Sequence, residues 1–166
     1  MITQKANEIK PFIVMEVLEK AAEMERRGIN VIHLEVGEPD FDVPSCVSEA
    51  VDKAFSEGRT HYTHSLGDPE LRDEICKRYH NSYGVNISPD QVIVTSGSSP
   101  AILLTLGVLC DIDDEVIISD PGYACYPNFI RFLNAKSVKV PVYEEDGFQY
   151  RPSEIEKRIT DRQRQL

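Results

Sequence analysis

Val92-Ile93-Val94-Thr95-Ser96-Gly97-Ser98-Ser99-Pro100-Ala101-Ile102-Leu103-Leu104-Thr105-Leu106 changes character twice within fifteen residues. Its first three residues are β-branched, follow the turn-like Ser88-Pro89-Asp90 and are stopped by small polar residues, which predicts a short buried strand. Ser96 to Ser99 are too small to cover their own amides, and Pro100, which has no N–H, suits the first turn of a helix. A strand, a small-residue turn and a helix N-terminus together aim unpaired N–H groups and the positive end of a helix dipole at one point, where a phosphate dianion is held well. The same letters also fit an ordinary strand-to-helix connection in which Ser98 or Ser99 only caps the helix. Neither a Gly-Lys-Ser/Thr phosphate loop nor a Gly-x-Gly-x-x-Gly turn is present, so a nucleotide is not the first ligand indicated.

The chain has 166 residues, of which 41% are hydrophobic, enough for a domain with a real core. A formal net charge of −10, from 28 acidic against 18 basic residues, argues against non-specific binding to nucleic acid or to anionic membranes. Cys46, Cys76, Cys110 and Cys125 are scattered and form no C-x-x-C pair, which points to reduced thiols and a cytoplasmic location rather than to zinc or redox chemistry. There is no signal-peptide pattern, and no apolar run approaches the ~18 residues of a membrane-spanning helix.

Before the central stretch the chain reads as an arm, helices and one strand-like segment; from Val92 onward strands and helices alternate. Ile9 to Phe12 reads as an extended arm, Val14 to Met24 as a helix stopped by Gly28, and Val31 to Val36 as strand-like, ending in Gly37-Glu38-Pro39-Asp40-Phe41. Asp42 or a neighbour, with Pro44, opens a helix with Val47, Ala50, Val51, Ala54 and Phe55 on one face. A polar loop around Tyr62 follows. Asp68-Pro69 then starts a helix with Leu71, Ile75 and Tyr79 aligned, which Gly84 ends. Beyond Leu106, Val116 to Ile118 and Val138 to Val142 are further strands, separated by a helix over Tyr123 to Leu133, and Arg151 to Ile159 is a last helix. Short strands alternating with helices predict an α/β fold: a mainly parallel sheet between two helical layers, with ligands at the carboxyl ends of the strands.

Four stretches, in order and spacing, resemble the N-terminal half of class I, aspartate aminotransferase-like, pyridoxal-phosphate enzymes of fold type I. They are Gly37-Glu38-Pro39-Asp40-Phe41; Tyr62-Thr63 with Gly67-x-x-Glu70-Leu71-Arg72; Thr95-Ser96-Gly97-Ser98-Ser99-x-Ala101; and Asp120-Pro121-Gly122-Tyr123-x-x-Tyr126. The resemblance implies an N-terminal arm and small-domain segment over residues 1–44 and the first part of the large cofactor-binding domain over 45–166. It implies pyridoxal 5'-phosphate as cofactor, an amino acid and a 2-oxo acid as substrates, and a homodimer. Gly97, Ser98 and Ser99 then belong to the phosphate cradle, with the Ser98 and Ser99 amides and the Ser99 hydroxyl as donors. Tyr123 takes the place of the aromatic that stacks on the pyridine ring, Tyr62 that of the tyrosine reaching the phosphate of the neighbouring subunit, and Gly37 that of the backbone donor near the substrate carboxylate.

Family members carry, later in the chain, a Ser-x-Ser-Lys type motif with the Schiff-base lysine, an Asn-Pro-x-Gly segment, an aspartate for the pyridinium nitrogen and an arginine for the substrate carboxylate. None of these motifs occurs here, and Thr160 to Leu166 falls where a next strand is expected to begin. The expectation is therefore an N-terminal portion that is inactive alone. The alternatives are a short non-catalytic protein that binds the cofactor or a partner, and a lyase of the same fold. His61 and His64 lack a third ligand at supporting spacing and are read as exposed loop residues, so no metal is expected.

Overall fold

The structure is a computed structural model that describes residues 2–163. The described residues divide into two compact units, one formed by residues 37–98 and the other by residues 2–36 with 99–163.

In the first unit, α3 (Ser45–Ser56) begins directly after Pro44, which occupies the cap position without a side-chain bond; Asp42 does not cap it. Helix α4 (Pro69–Tyr83) begins and ends where its local residues dictate. The Asp68 carboxylate accepts the Glu70 N–H at 2.9 Å, Pro69 fills the first turn, and Gly84 closes the helix at φ 67°. Its buried residue is Arg72; of the expected apolar row Ile75 is half-buried, while Leu71 and Tyr79 are exposed. The Arg72 guanidinium donates to the Pro89 carbonyl at 3.0 Å across a single 3-10 turn, Pro89–Gln91.

The second unit contains α1 (Gln4–Glu8), α2 (Ile13–Arg26), all but the first residue of α5 (Ser98–Leu109), β1 (Glu115–Asp120), α6 (Tyr126–Phe132), β2 (Lys136–Pro141) and α7 (Pro152–Glu156). Strands β1 and β2 run parallel with Ile117 opposite Val138, the α6 crossover between them. Leu106, Ile118, Ile130 and Ala135 form the core, with Ile102, Val116, Phe129 and Leu133 packed around it. Sinking a side chain as completely as Ile130 is worth about 1.5–3 kcal/mol, so these few positions dominate the packing. Ile9 to Phe12 has no helix, as expected, and before it α1 docks on α6, where Lys5 Nζ donates to the Phe132 carbonyl at 3.0 Å and Glu8 pairs with Arg131.

Two of the expected strands are not strands among the described residues. Val92 to Val94 is extended, but its partner is a loop: the Val94 N–H donates to the Leu66 carbonyl at 2.9 Å and the Val92 N–H turns back to Pro89 at 3.2 Å. Residues 31–36 likewise have no ladder partner. A β-branched run supplies the shape of a strand; the ladder needs a second strand beside it. Helix α6 starts at Tyr126 rather than Tyr123, and α7 ends at Glu156 rather than Ile159. Beyond α7 the chain is drawn to β1: Gln163 bridges Glu115 in parallel, and the Glu115 N–H donates to the Arg162 carbonyl at 3.1 Å. The remainder of the strand expected near Thr160 to Leu166, over residues 164–166, lies outside the described residues.

Candidate functional site

At the N-terminus of α5, Gly97 adopts φ 91°, a conformation that L side chains rarely take. Its N–H donates to the Thr95 carbonyl at 2.8 Å, and its own carbonyl accepts the Thr95 hydroxyl at 2.6 Å. Gly97 therefore shapes the turn, with its amide already engaged. The next two residues differ. Ser98 and Ser99 are exposed, and among the described residues neither N–H has an acceptor, as expected for the first turn of a helix. From Val92 to Cys110 there is no charged residue, so no side chain of that run neutralises the positive end of the α5 dipole. Two free amides, two hydroxyls and no competing carboxylate in the helix's first turn form a donor set suited to a phosphate.

In the second unit, α5 and β1 run in opposite directions: the chain leaves α5 at Leu109, turns through Cys110 to Asp114 and returns along β1, with Ile102 and Leu106 lining the same apolar recess as Val116 and Ile118. The Ser99 end of α5 therefore belongs to the carboxyl end of β1. There Asp120 pairs with Lys139 at 3.2 Å, and the chain folds back on itself. A Cβ on Gly122 would lie 2.5 Å from Ser119 Oγ and 2.6 Å from the Ser119 carbonyl, so only glycine fits. Tyr123 follows at once, half exposed, its ring edge-on to Tyr126 at 5.0 Å and 76°. The neighbouring Cys125 thiol raises the Tyr123 phenol above its ordinary value, with partial burial and Tyr126 adding to it, so the hydroxyl stays protonated.

In the first unit, Tyr62 is fully exposed, and Gly37 is exposed with open space where a side chain would stand. No contact within that unit assigns either a task. His64 has a local one: its Nδ1 accepts the Leu66 N–H at 3.1 Å. The Thr95 hydroxyl and the Ser119–Gly122 contact are features that sequence reasoning missed. Pro121-Gly122 at a strand end signals the second, whereas the first has no signal beyond a threonine before a turn.

A glycine-shaped turn before a helix, and a parallel strand ending in a tight glycine approach and an aromatic residue, are features of an α/β fold. The profile of aminotransferase class I and II matches residues 29–166, and the chain belongs to that family. It is 44% identical over 138 residues, 83% of its length, to a (5-formylfuran-3-yl)methyl phosphate transaminase of Methanocaldococcus jannaschii, and covers 37% of that protein. To an aspartate aminotransferase of Pyrococcus horikoshii it is 37% identical over 99% of its length, covering 41% of the relative. Superposed on the aspartate aminotransferase of Thermus thermophilus with maleate, it gives a TM-score of 0.93 at 33% identity, with 98% of this chain and 43% of the other covered. The chain thus spans about two fifths of the length of the relatives it matches. Its fold is that of the fold type I aminotransferases, present in part.

Proposed function

We propose that this chain is the phosphate-binding front part of a pyridoxal-phosphate-dependent aminotransferase, which moves an amino group from an amino acid to a 2-oxo acid in the cytosol. The observation that carries this reading is the pair of unpaired amides at Ser98 and Ser99, at the head of a helix whose first turn has no acidic residue. Gly97 sets their direction, and the Ser99 hydroxyl adds a third donor. When bound, the cofactor supplies the electron sink that stabilises negative charge at the substrate Cα. The residues of this chain hold and orient: the amides fix the phosphate, and the Tyr123 ring covers one face of the pyridine and keeps water from it. Tyr62 adds its hydroxyl to the phosphate of a second subunit, and Gly37 brings a backbone N–H to the substrate carboxylate. Proton transfer at the substrate needs a lysine amine outside the motifs found here.

Titration with pyridoxal 5'-phosphate, followed by calorimetry, tests the reading. Binding that Ser99→Asp abolishes through charge repulsion supports it; binding that survives Ser99→Asp undiminished places the phosphate elsewhere.

A further inference from the structure

The phosphate turn is held from behind. The run from Pro89 to Val94, which delivers the chain to Thr95, is gripped at both ends by α4 and by the turn that leads into it. At one end the Arg72 guanidinium, the buried charged group of its unit, donates to the Pro89 carbonyl at 3.0 Å and lies 3.8 Å from Asp90. Its Nε is buried without a partner, a cost accepted for that position. At the other end the Leu66 carbonyl takes the Val94 N–H at 2.9 Å, and Gly67, at φ 104°, lies so close that a Cβ there would sit 2.6 Å from the Val94 Cβ and 2.7 Å from its Cγ2. The turn making this contact is closed by its own bonds, Gly67 N–H to the His64 carbonyl at 2.8 Å and Leu66 N–H to His64 Nδ1 at 3.1 Å. Helix α4 is fixed in turn by the Asp68 cap and by Arg59, which reaches Asp68 at 3.1 Å and Glu70 at 3.3 Å.

We infer that Gly67 and Arg72 are positioning residues for the phosphate turn: they set the register of Pro89 to Val94 and so the place at which Thr95 to Ser98 present their donors. Neither touches the ligand. This rests on the phosphate-binding reading above. A side chain at Gly67 pushes Val94 away and displaces the turn one residue later, and an amide aimed at a dianion loses much of its value when misaligned.

The test compares affinity for pyridoxal 5'-phosphate with affinity for pyridoxal, which has the same ring and no phosphate, by calorimetry on the protein and its variants. Gly67→Ala is expected to weaken the phosphate ester about tenfold, the value of one charge-assisted bond, and to leave pyridoxal nearly unchanged. Arg72→Met is expected to act in the same sense, and Arg72→Lys, which keeps a donor for the Pro89 carbonyl, to restore most of the loss. Equal weakening of both ligands, or none, overturns the positioning role and leaves the phosphate site intact. An unaltered protein that does not prefer the phosphate ester overturns the phosphate site itself and the inference with it. Should Gly67→Ala fail to fold by circular dichroism, the Arg72→Met and Arg72→Lys pair decides alone.

Discussion

Ser119 and Gly122 touch more closely than any side chain allows, and Tyr123 takes its position from that contact. Gly122→Ala places a Cβ 2.5 Å from one Ser119 oxygen and 2.6 Å from the other, the second of them backbone, so the chain must open. Urea unfolding is expected to show a loss of about 1–3 kcal/mol, typical of overpacking; an unchanged midpoint means the turn relaxes freely. Tyr123→Ala tests a different property of the same turn. The ring is half exposed and lies edge-on to Tyr126, so its removal is expected to leave stability nearly intact and to weaken retention of pyridoxal 5'-phosphate. Unchanged affinity in a titration sinks the stacking role. The turn chemistry around Gly97 is readable from the letters because a left-handed glycine and small neighbours act locally. The tasks of Tyr62 and Gly37 are not readable that way: nothing within their own unit engages them, and only likeness to a family names a role.

Elements that obey local rules are the ones the sequence predicts well. Helix α4 begins at Asp68-Pro69 and ends at Gly84 because cap, proline and left-handed glycine each act within a few residues. Val92 to Val94 is predicted as a strand and is not one, because its bond runs to the Leu66 carbonyl in a loop, a fact no local pattern contains. The segment after α2 shows how charge does what a ladder does elsewhere. His33 contacts Glu35 at 2.6 Å and Glu25, on α2, at 3.0 Å, tying residues 33–35 to the helix. Hydrogen bonds to Glu25 and then Glu35 raise His33 above its ordinary 6.5, and the bond to His33 lowers Glu35 below 4.5. The histidine contribution is complete below pH 6.5 and disappears as pH rises through the raised value; the carboxylate contribution is present above pH 4.5 and disappears as pH falls through the lowered one. The clasp is therefore tightest between those limits. An NMR titration is expected to place the His33 midpoint above 6.5, with Glu25→Gln returning it toward that value. A midpoint at or below the ordinary value removes the clasp.

Across the molecule, binary pattern and burial disagree, and the disagreement has a physical consequence. Val47, Val51 and Phe55 on α3 follow the helical spacing of a core face, yet they are 47%, 49% and 67% exposed; on α5, Leu104 and Val108 are exposed as well. The helices and the two paired strands are legible because each segment announces its own period, whereas what covers each apolar face depends on surfaces beyond that segment. Two forces then compete when copies of the chain meet: apolar faces attract, and a net charge of −10 repels. Salt separates them, since it screens charge over a shorter distance and leaves apolar burial in place. Sedimentation velocity on the 166-residue chain is expected to give a weight-average mass above the monomer that grows between low salt and about 0.5 M. A mass that falls with salt assigns the association to ion pairs, and a monomer at every salt concentration shows that these faces do not bury one another.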